Sequence, residues 1–430
     1  MTTVAVVLIV SVAAFAIIGI PLTWSMGLAS FCALFTTGTI SVSMLAQRMY
    51  TGGAVYAFLA IFFFVFAGNV MQYGGLSHRL VRFANSLVGH FTGGTSIVCI
   101  MACTFFAAIS GSSIATTAAI GGMMYPELKK YGYPDDYAAM LPAVGGVLGI
   151  VIPPSVTFIV YGTTTGVSVG QLLLSGVVPG VLGGLVLCVL CWYFAKKRHY
   201  PKGGHFSAKE VVLSTKSALA ALVMPLIIMG GIYSGIFTPT ESAAVATAYG
   251  LVATKLFYRE MDWQLFKKVV RETTRTTANI MVLVMSAACF SWLLTINNIP
   301  ELLTGILLDV IHSKATFLVG VVCLLTFLGM FMDVSTIILI IAPLLVPTAN
   351  YFNIDPVHFG LIFVFTLAIG QATPPFGACL FVSCSMSGHG VMHLGGKAVP
   401  FVCALLAVVV VTCFIPQLAT FLPEVMSVAV

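Results

Sequence analysis

Apolar residues run along this chain in long blocks near 4–20, 27–45, 55–73, 137–163, 172–195, 217–236, 240–258, 277–296, 358–384 and 398–421. These blocks approach or pass the roughly 20 residues a helix needs to span a bilayer, and they lack the strict alternation of a membrane β-barrel. Two further blocks, 93–128 and 315–350, are long but interrupted near their middles. The pattern predicts an all-α polytopic membrane protein in which the interrupted blocks are re-entrant helical hairpins.

The two stretches that hold these interruptions look like one design written twice. Residues 109–166 begin Ile-Ser-Gly-Ser-Ser and reach Gly149-Ile-Val-Ile-Pro153-Pro154-Ser155, while residues 331–388 begin Phe-Met-Asp-Val-Ser-Thr and reach Gly370-Gln371-Ala-Thr373-Pro374-Pro375. At an offset of 221–222 positions, Pro126 matches Pro347, Pro134 matches Pro356, the Pro-Pro pairs match, and Gly166 matches Gly388. Helix breakers recurring at long period inside apolar segments mark a secondary transporter with discontinuous helices at its binding site. A solute carrier is therefore expected.

Composition fixes the class. At 59% hydrophobic and 7% charged residues, the chain has roughly a quarter of the charge of a soluble domain and is an integral membrane protein. The cysteines lie mostly in apolar runs, and the CxxC spacing of Cys188 and Cys191 has no second ligand pair nearby. Val4 to Ile20 lacks a basic n-region and a cleavage site, so it reads as a first membrane helix.

Placement of charge orients the chain. If both interrupted blocks return to the side they left, one side receives every Lys and Arg except Arg48 and Lys314. The positive-inside bias puts that side in the cytoplasm and both termini outside. The first hairpin then opens inward and the second outward, so 1–195 and 217–430 form two repeats of inverted topology. A basic connector at 196–216, with Pro201, Gly203 and Gly204, joins them in the cytoplasm. Residues 258–275 interleave Trp263, Leu265, Phe266 and Val269 with Lys267, Lys268 and Arg271, as an amphipathic helix at the inner surface would.

The breaks carry the chemistry. Non-helical backbone survives at membrane depth only where protein, ions or water satisfy it. At the first hairpin tip, Ser110, Gly111, Ser112 and Ser113, followed by Thr116 and Thr117, offer freed carbonyls and hydroxyls for a small hard cation such as Na⁺. The exposed amides of the next half-helix suit a carboxylate. Unwinding between Gly149 and Pro154 brings Ser155 and Thr157 to the start of another half-helix, and its counterpart supplies Gln371 and Thr373. Asp333, beside Ser335 and Thr336, is the one acid deep inside an apolar segment and is expected to meet a cation or a donor group of the cargo. No Lys or Arg falls at that depth, so an anionic cargo would be held by helix N-termini, hydroxyls and co-bound cations. Thr238, Pro239 and Glu241 read as an ordinary helix cap. The histidines are dispersed, and no nucleotide, nucleic-acid or catalytic motif is present.

Taken together, these segments resemble the large membrane subunit of a tripartite ATP-independent periplasmic (TRAP) transporter, in the dicarboxylate permease branch. The likeness covers essentially the whole chain and is most specific at Ser110-Gly-Ser-Ser-Ile-Ala-Thr-Thr, Tyr125-Pro-Glu-Leu-Lys-Lys-Tyr-Gly-Tyr, 149–155, Phe237-Thr-Pro-Thr-Glu-Ser-Ala-Ala-Val, Asp333-Val-Ser-Thr and Gly370-Gln-Ala-Thr-Pro-Pro-Phe-Gly. The family more often has alanine after the acid at Glu241-Ser242.

The resemblance implies Na⁺-coupled import of an organic acid, a dicarboxylate, sialic acid or related carboxylate, by an elevator movement in the bacterial inner membrane. It also implies a periplasmic substrate-binding protein (P type) and a small membrane subunit (Q type), the latter expected as a separate polypeptide. Carried onto this chain, the cargo site comprises Ser112, Ser155, Thr157, Asp333 and Ser335. The sodium sites comprise Ser110, Gly111, Ser113, Gly149, Pro153, Asp333, Thr336, Gly370, Thr373 and Pro374. Segments 172–195, 217–258 and 398–421 would form a fixed scaffold. A stand-alone dicarboxylate or citrate carrier of the wider ion-transporter superfamily shares the same fold-level physics. An enzyme does not fit, because Asp333 has no catalytic partner at its depth, and two inverted hairpins leave no evident open pore for a channel.

Overall fold

The computed structural model describes residues 2–37, 41–200, 202 and 206–427. Among them every regular element is helical, and one isolated backbone bridge joins Thr92 to Lys202. The chain opens with α1 (Thr2–Ile17), α2 (Leu22–Thr37), α3 (Val42–Gly53), α4 (Leu59–Tyr73), α5 (Leu76–Val88), α6 (Gly94–Ser110) and α7 (Ser113–Lys130). It continues through α8 (Asp135–Gly146), α9 (Val156–Thr165), α10 (Val169–Ser175), α11 (Val177–Lys197), α12 (Ala208–Tyr233), α13 (Pro239–Val252) and α14 (Trp263–Ile296). It closes with α15 (Ile299–Val310), α16 (Lys314–Gly329), α17 (Val334–Tyr351), α18 (Pro356–Gly370), α19 (Ala378–Ser387), α20 (Val391–Phe414) and α21 (Gln417–Ser427). Six helices among the described residues are long and apolar enough to cross a membrane, or seven if α15 and α16, bent by 116° at their join, form one span. The protein is a multi-pass, all-helical membrane protein.

Both interrupted blocks are helix–break–helix units. The first is α6 and α7, which lie against one another around Gly111 and Ser112; the second is α16 and α17, which both lean on α18. Two more helices are broken where the Pro-Pro pairs fall. After α8 a 3₁₀ turn (Val147–Ile150) leads through non-helical backbone to α9, and α18 ends at Gly370 with α19 starting at Ala378. The Pro153–Pro154 and Pro374–Pro375 peptides are both cis. Gly166 and Gly388 close α9 and α19 with φ of +77° and +75°, a left-handed geometry in which a side chain would be strained.

The helices pack as two groups. In one, α4 lies on α13 and α14, α2 and α3 lie on α14, and α12 lies on α13. In the other, the broken elements exchange partners: α7 packs on α8 and α19, and α17 packs on α9. Helix α5 bridges α12 and α6, and α15 bridges α14 and α17. Ion pairs gather segments from the basic side, Arg79 to Glu260 at 2.5 Å and Arg82 to Glu210 at 2.7 Å.

Several expectations need correction. Pro126 and Pro347 sit inside continuous helices α7 and α17 and break neither. The block 27–45 is two helices, α2 and α3, with residues 38–40 outside the described part. The block 398–421 divides because Pro416 lacks an N–H and drives Ile415 out of helical geometry, so α20 ends and α21 begins. Residues 258–275 are not a separate surface helix. From Trp263 they run unbroken into the next span as α14, since 263–296 contains no Gly or Pro and a change of polarity alone does not stop a helix. The proposed scaffold also divides differently. Helix α11 packs on α6 and α20, and α20 on α8, while α12 and α13 stay with α4. Gly180 and Gly184 let α11 settle onto Ile152 and Thr104 at distances a Cβ would not permit. Pro201, Gly203 and Gly204 of the connector lie outside the described residues.

Candidate substrate cavity at the hairpin tips

Three of the four half-helices at the breaks, α7, α9 and α17, start from a residue in extended backbone whose side chain accepts a first-turn amide; α19 starts from Gly377, which has no side chain to do so. Ser112 Oγ accepts the Ala115 N–H at 3.3 Å at the start of α7, and Asp333 Oδ2 accepts the Ser335 N–H at 2.9 Å at the start of α17. The two caps are 221 positions apart, the spacing of the sequence repeat. Ser155 caps α9 in the same way. Capping leaves the remaining first-turn amides and the positive helix end directed at the space in front of the tip.

That space is a cavity of about 680 Å³. The tips line it with Ser110, Gly111, Ser112, Ser113, Asp333, Ser335 and Thr336, and the breaks add Thr157 and Gln371. The facing wall comes from Asn69 and Gln72 on α4, Thr23 on α2, and Glu272, Thr276 and Asn279 on α14. The cavity therefore lies along the seam between the two helix groups. From the tips it reaches Tyr73 and Glu272, towards the side that carries the basic residues. Among the described residues two acids line it and no Lys or Arg does.

Around the tips the oxygen atoms are dense. Ser110 Oγ and Thr116 Oγ1 are 2.7 Å apart, and Thr116 Oγ1 also donates to the Ser112 carbonyl at 2.8 Å. The first break presses on the first tip: a Cβ on Gly149 would sit 2.5 Å from the Ser112 carbonyl oxygen, and one on Gly111 would sit 2.8 Å from that of Pro154. At the second break the carbonyls of Gln371 and Thr373 converge on Gly377, and the Phe376 N–H donates to the Met330 carbonyl of the second tip at 3.2 Å. Ser113 donates to the Gln371 side-chain oxygen, joining the first hairpin to the second break.

Most of the expected cargo and sodium residues thus meet at one cavity, but six do not reach it. Ser155 is fully buried, with its hydroxyl donated to the Ile150 carbonyl at 2.7 Å. Gly149, Pro153, Gly370, Thr373 and Pro374 lie behind the lining; Thr373 Oγ1 donates to the Ile369 carbonyl at 2.9 Å, and Pro374 packs against Gly395. Asp333 is not enclosed by protein as a deep acid was expected to be. It is exposed on the cavity wall, where water or a ligand can satisfy it.

Sequence reasoning missed the facing wall. Asn69, whose Nδ2 donates to Thr273 Oγ1 at 3.0 Å, was visible with Gln72 as an amide in the apolar run of α4. Glu272, Thr276 and Asn279 recur at i, i+4 and i+7, a single helix face, but that face becomes legible only once 263–296 is one helix. Among the described residues no group of His, Cys, Asp and Glu could hold a metal ion by those ligands.

Residues 9–418 match the family model "Tripartite ATP-independent periplasmic transporter, DctM component". The chain is 39% identical over 403 residues to the C4-dicarboxylate TRAP transporter large permease protein DctM of Pseudomonas aeruginosa, covering 93% of this chain and 94% of that protein. It is 37% identical over 411 residues to the isethionate TRAP transporter permease protein DctMQ of Oleidesulfovibrio alaskensis, covering 95% of this chain and 65% of that one. The YdaH transporter of Alcanivorax borkumensis shares the fold with a TM-score of 0.63 at 16% identity, over 89% of this chain and 88% of that one.

Proposed function

The chain belongs to the DctM family of TRAP transporters as a large permease subunit, and we propose that it imports a small organic acid across the bacterial inner membrane by sodium-coupled alternating access. The observation that carries this reading is the cavity at which Ser112, Asp333 and Gln371 meet, lined by hydroxyls, amides and two carboxylates with no basic residue. An anion held there needs positive partners, and the starts of α7 and α17 provide part of that potential. Sodium ions provide the rest. Hard cations take oxygen donors, and the Ser112, Pro154, Gln371 and Thr373 carbonyls with the hydroxyls of Ser110 and Thr116 are such a set. Sodium is carried as a coupling ion along with the cargo.

The related halves 1–195 and 217–430 act as inverted repeats. Their exchanged contacts, α7 with α19 and α17 with α9, bind the tips and breaks into one unit. Sliding of that unit against α4 and α14 exposes the cargo to alternate sides. A periplasmic binding protein delivers the acid to the outer face, and a small membrane subunit, fused in DctMQ-type relatives, braces the α4–α14 group.

Uptake of labelled organic acids by proteoliposomes holding this chain and its small subunit tests the reading. Accumulation that requires both a sodium gradient and the binding protein supports it. Accumulation with neither points to a stand-alone carrier.

A further inference from the structure

Helix α14 has 34 residues and rises about 51 Å, against roughly 30 Å of hydrocarbon in a bilayer. Its second half, 280–296, contains no charged residue and rises about 26 Å, most of the hydrocarbon thickness. The first half therefore passes through the headgroup region on the basic side. Along it Lys267, Arg271 and Arg275 recur at i and i+4, so they form one stripe, and all three are exposed. The stripe points away from Val269 and Thr273, the buried residues by which the helix packs on its neighbours.

No carboxylate pairs with these three among the described residues, whereas the nearby Arg79 and Arg82 are matched to Glu260 and Glu210. At the top of the stripe Trp263 is exposed with the Lys267 ammonium 5.3 Å from its ring. Leu256 and Phe257 are also exposed, between Lys255 and Arg259. Aromatic and aliphatic residues flanked by unpaired cations, where a membrane helix leaves the hydrocarbon, match a headgroup with an acyl chain below it better than they match bulk water.

We propose that Lys267, Arg271 and Arg275 bind the phosphate groups of anionic phospholipids in the cytoplasmic leaflet, with Trp263 and Phe257 seated at the glycerol level. Glu272, Thr276 and Asn279 of the same helix line the cavity, so this lipid contact holds one cavity wall at a fixed depth. The inference depends on the membrane orientation given above and on nothing about the cargo.

The test uses the complex of this chain with its small subunit. Its melting temperature is read in neutral detergent–lipid mixtures with added phosphatidylglycerol, or with inorganic phosphate or glycerophosphate at matched charge. Phosphatidylglycerol should raise the melting temperature while the soluble phosphates do not. The lipid preference should fall about fivefold for each charge removed in Lys267→Gln, Arg271→Gln and Arg275→Gln. It should persist in Arg271→Lys with Arg275→Lys. An equal shift from inorganic phosphate assigns the stripe to soluble anions and overturns the proposal, as does a triple variant that keeps the full lipid response. Should the triple variant not fold, a photoreactive phosphatidylglycerol on the wild-type complex decides: adducts should concentrate in 256–275, and adducts no denser there than along the exposed face of α11 overturn it.

Discussion

Ser113 at the first hairpin tip donates its hydroxyl proton to the side-chain oxygen of Gln371 in the second broken helix, 258 positions away, and both residues are buried. Removing one partner from a buried pair costs the desolvation of the other, about 1–3 kcal/mol. Ser113→Ala should lower stability by that amount. Adding Gln371→Leu should cost less than the sum of the two single changes. A double-mutant cycle on thermal unfolding in detergent measures the coupling, and strict additivity would show that the bond contributes nothing.

Asp333 has two separable roles, as a helix cap through Ser335 and as a charge on the cavity wall. Asparagine caps a helix about as well as aspartate. Asp333→Asn should therefore leave the melting temperature almost unchanged and abolish most sodium-dependent uptake. Asp333→Ala should lose uptake and about 1 kcal/mol of stability as well. Full uptake by the asparagine variant would remove the carboxylate from the mechanism.

The backbone crossing at Gly149 leaves no room for a methyl group, since a Cβ would lie 2.5 Å from the Ser112 carbonyl oxygen and 2.6 Å from Thr116 Oγ1. Gly149→Ala should destabilise the protein by about 1–3 kcal/mol through overpacking and depress uptake. Gly122 on α7 has open space at the same position of its own Cβ, so Gly122→Ala is the matched control and should be neutral or slightly stabilising.

Thr238 and Glu241 form a reciprocal capping box at the start of α13, with the Thr238 N–H donating to the Glu241 carboxylate at 2.8 Å. The ordinary structural reading of Glu241 holds. Thr238→Ala should cost about 1 kcal/mol and leave the sodium dependence of uptake unaltered.

At the basic side Asp135 accepts from Lys129 at 2.8 Å and from His389 at 3.0 Å, tying the base of α7 to the segment after α19. The Lys129 hydrogen bond holds the Asp135 carboxyl below its ordinary value. A carboxyl depressed in the folded state stabilises the fold above its unfolded pKa of about 4 and loses that contribution as the pH falls through the folded value. The wild-type melting temperature should therefore drop on acidification below about pH 4, and the Asp135→Asn variant should drop less over the same interval.

Much of this architecture was legible in the sequence because its signals are local. Hydropathy located both helix–break–helix units to within a residue or two, and small polar residues marked their breaks. The Pro-Pro pairs marked the two other interruptions, since a proline removes a donor and constrains the residue before it wherever it stands. Ser112 and Asp333 could be singled out as a hydroxyl and an acid inside apolar runs, while their capping of α7 and α17 emerged only from the fold.

Tertiary structure decided what those signals leave open. Pro126 and Pro347 look like breakers yet remain within helices, and Ser155 carries the right hydroxyl yet faces inward to Ile150. The facing wall of Asn69, Glu272, Thr276 and Asn279 and the pairing of Ser113 with Gln371 depend on which helices meet across more than 200 positions. Composition and periodicity set the length and apolar character of each helix; only packing among many such faces selects its neighbours, because in a bilayer one apolar surface is nearly as well solvated as the next and close fit alone discriminates.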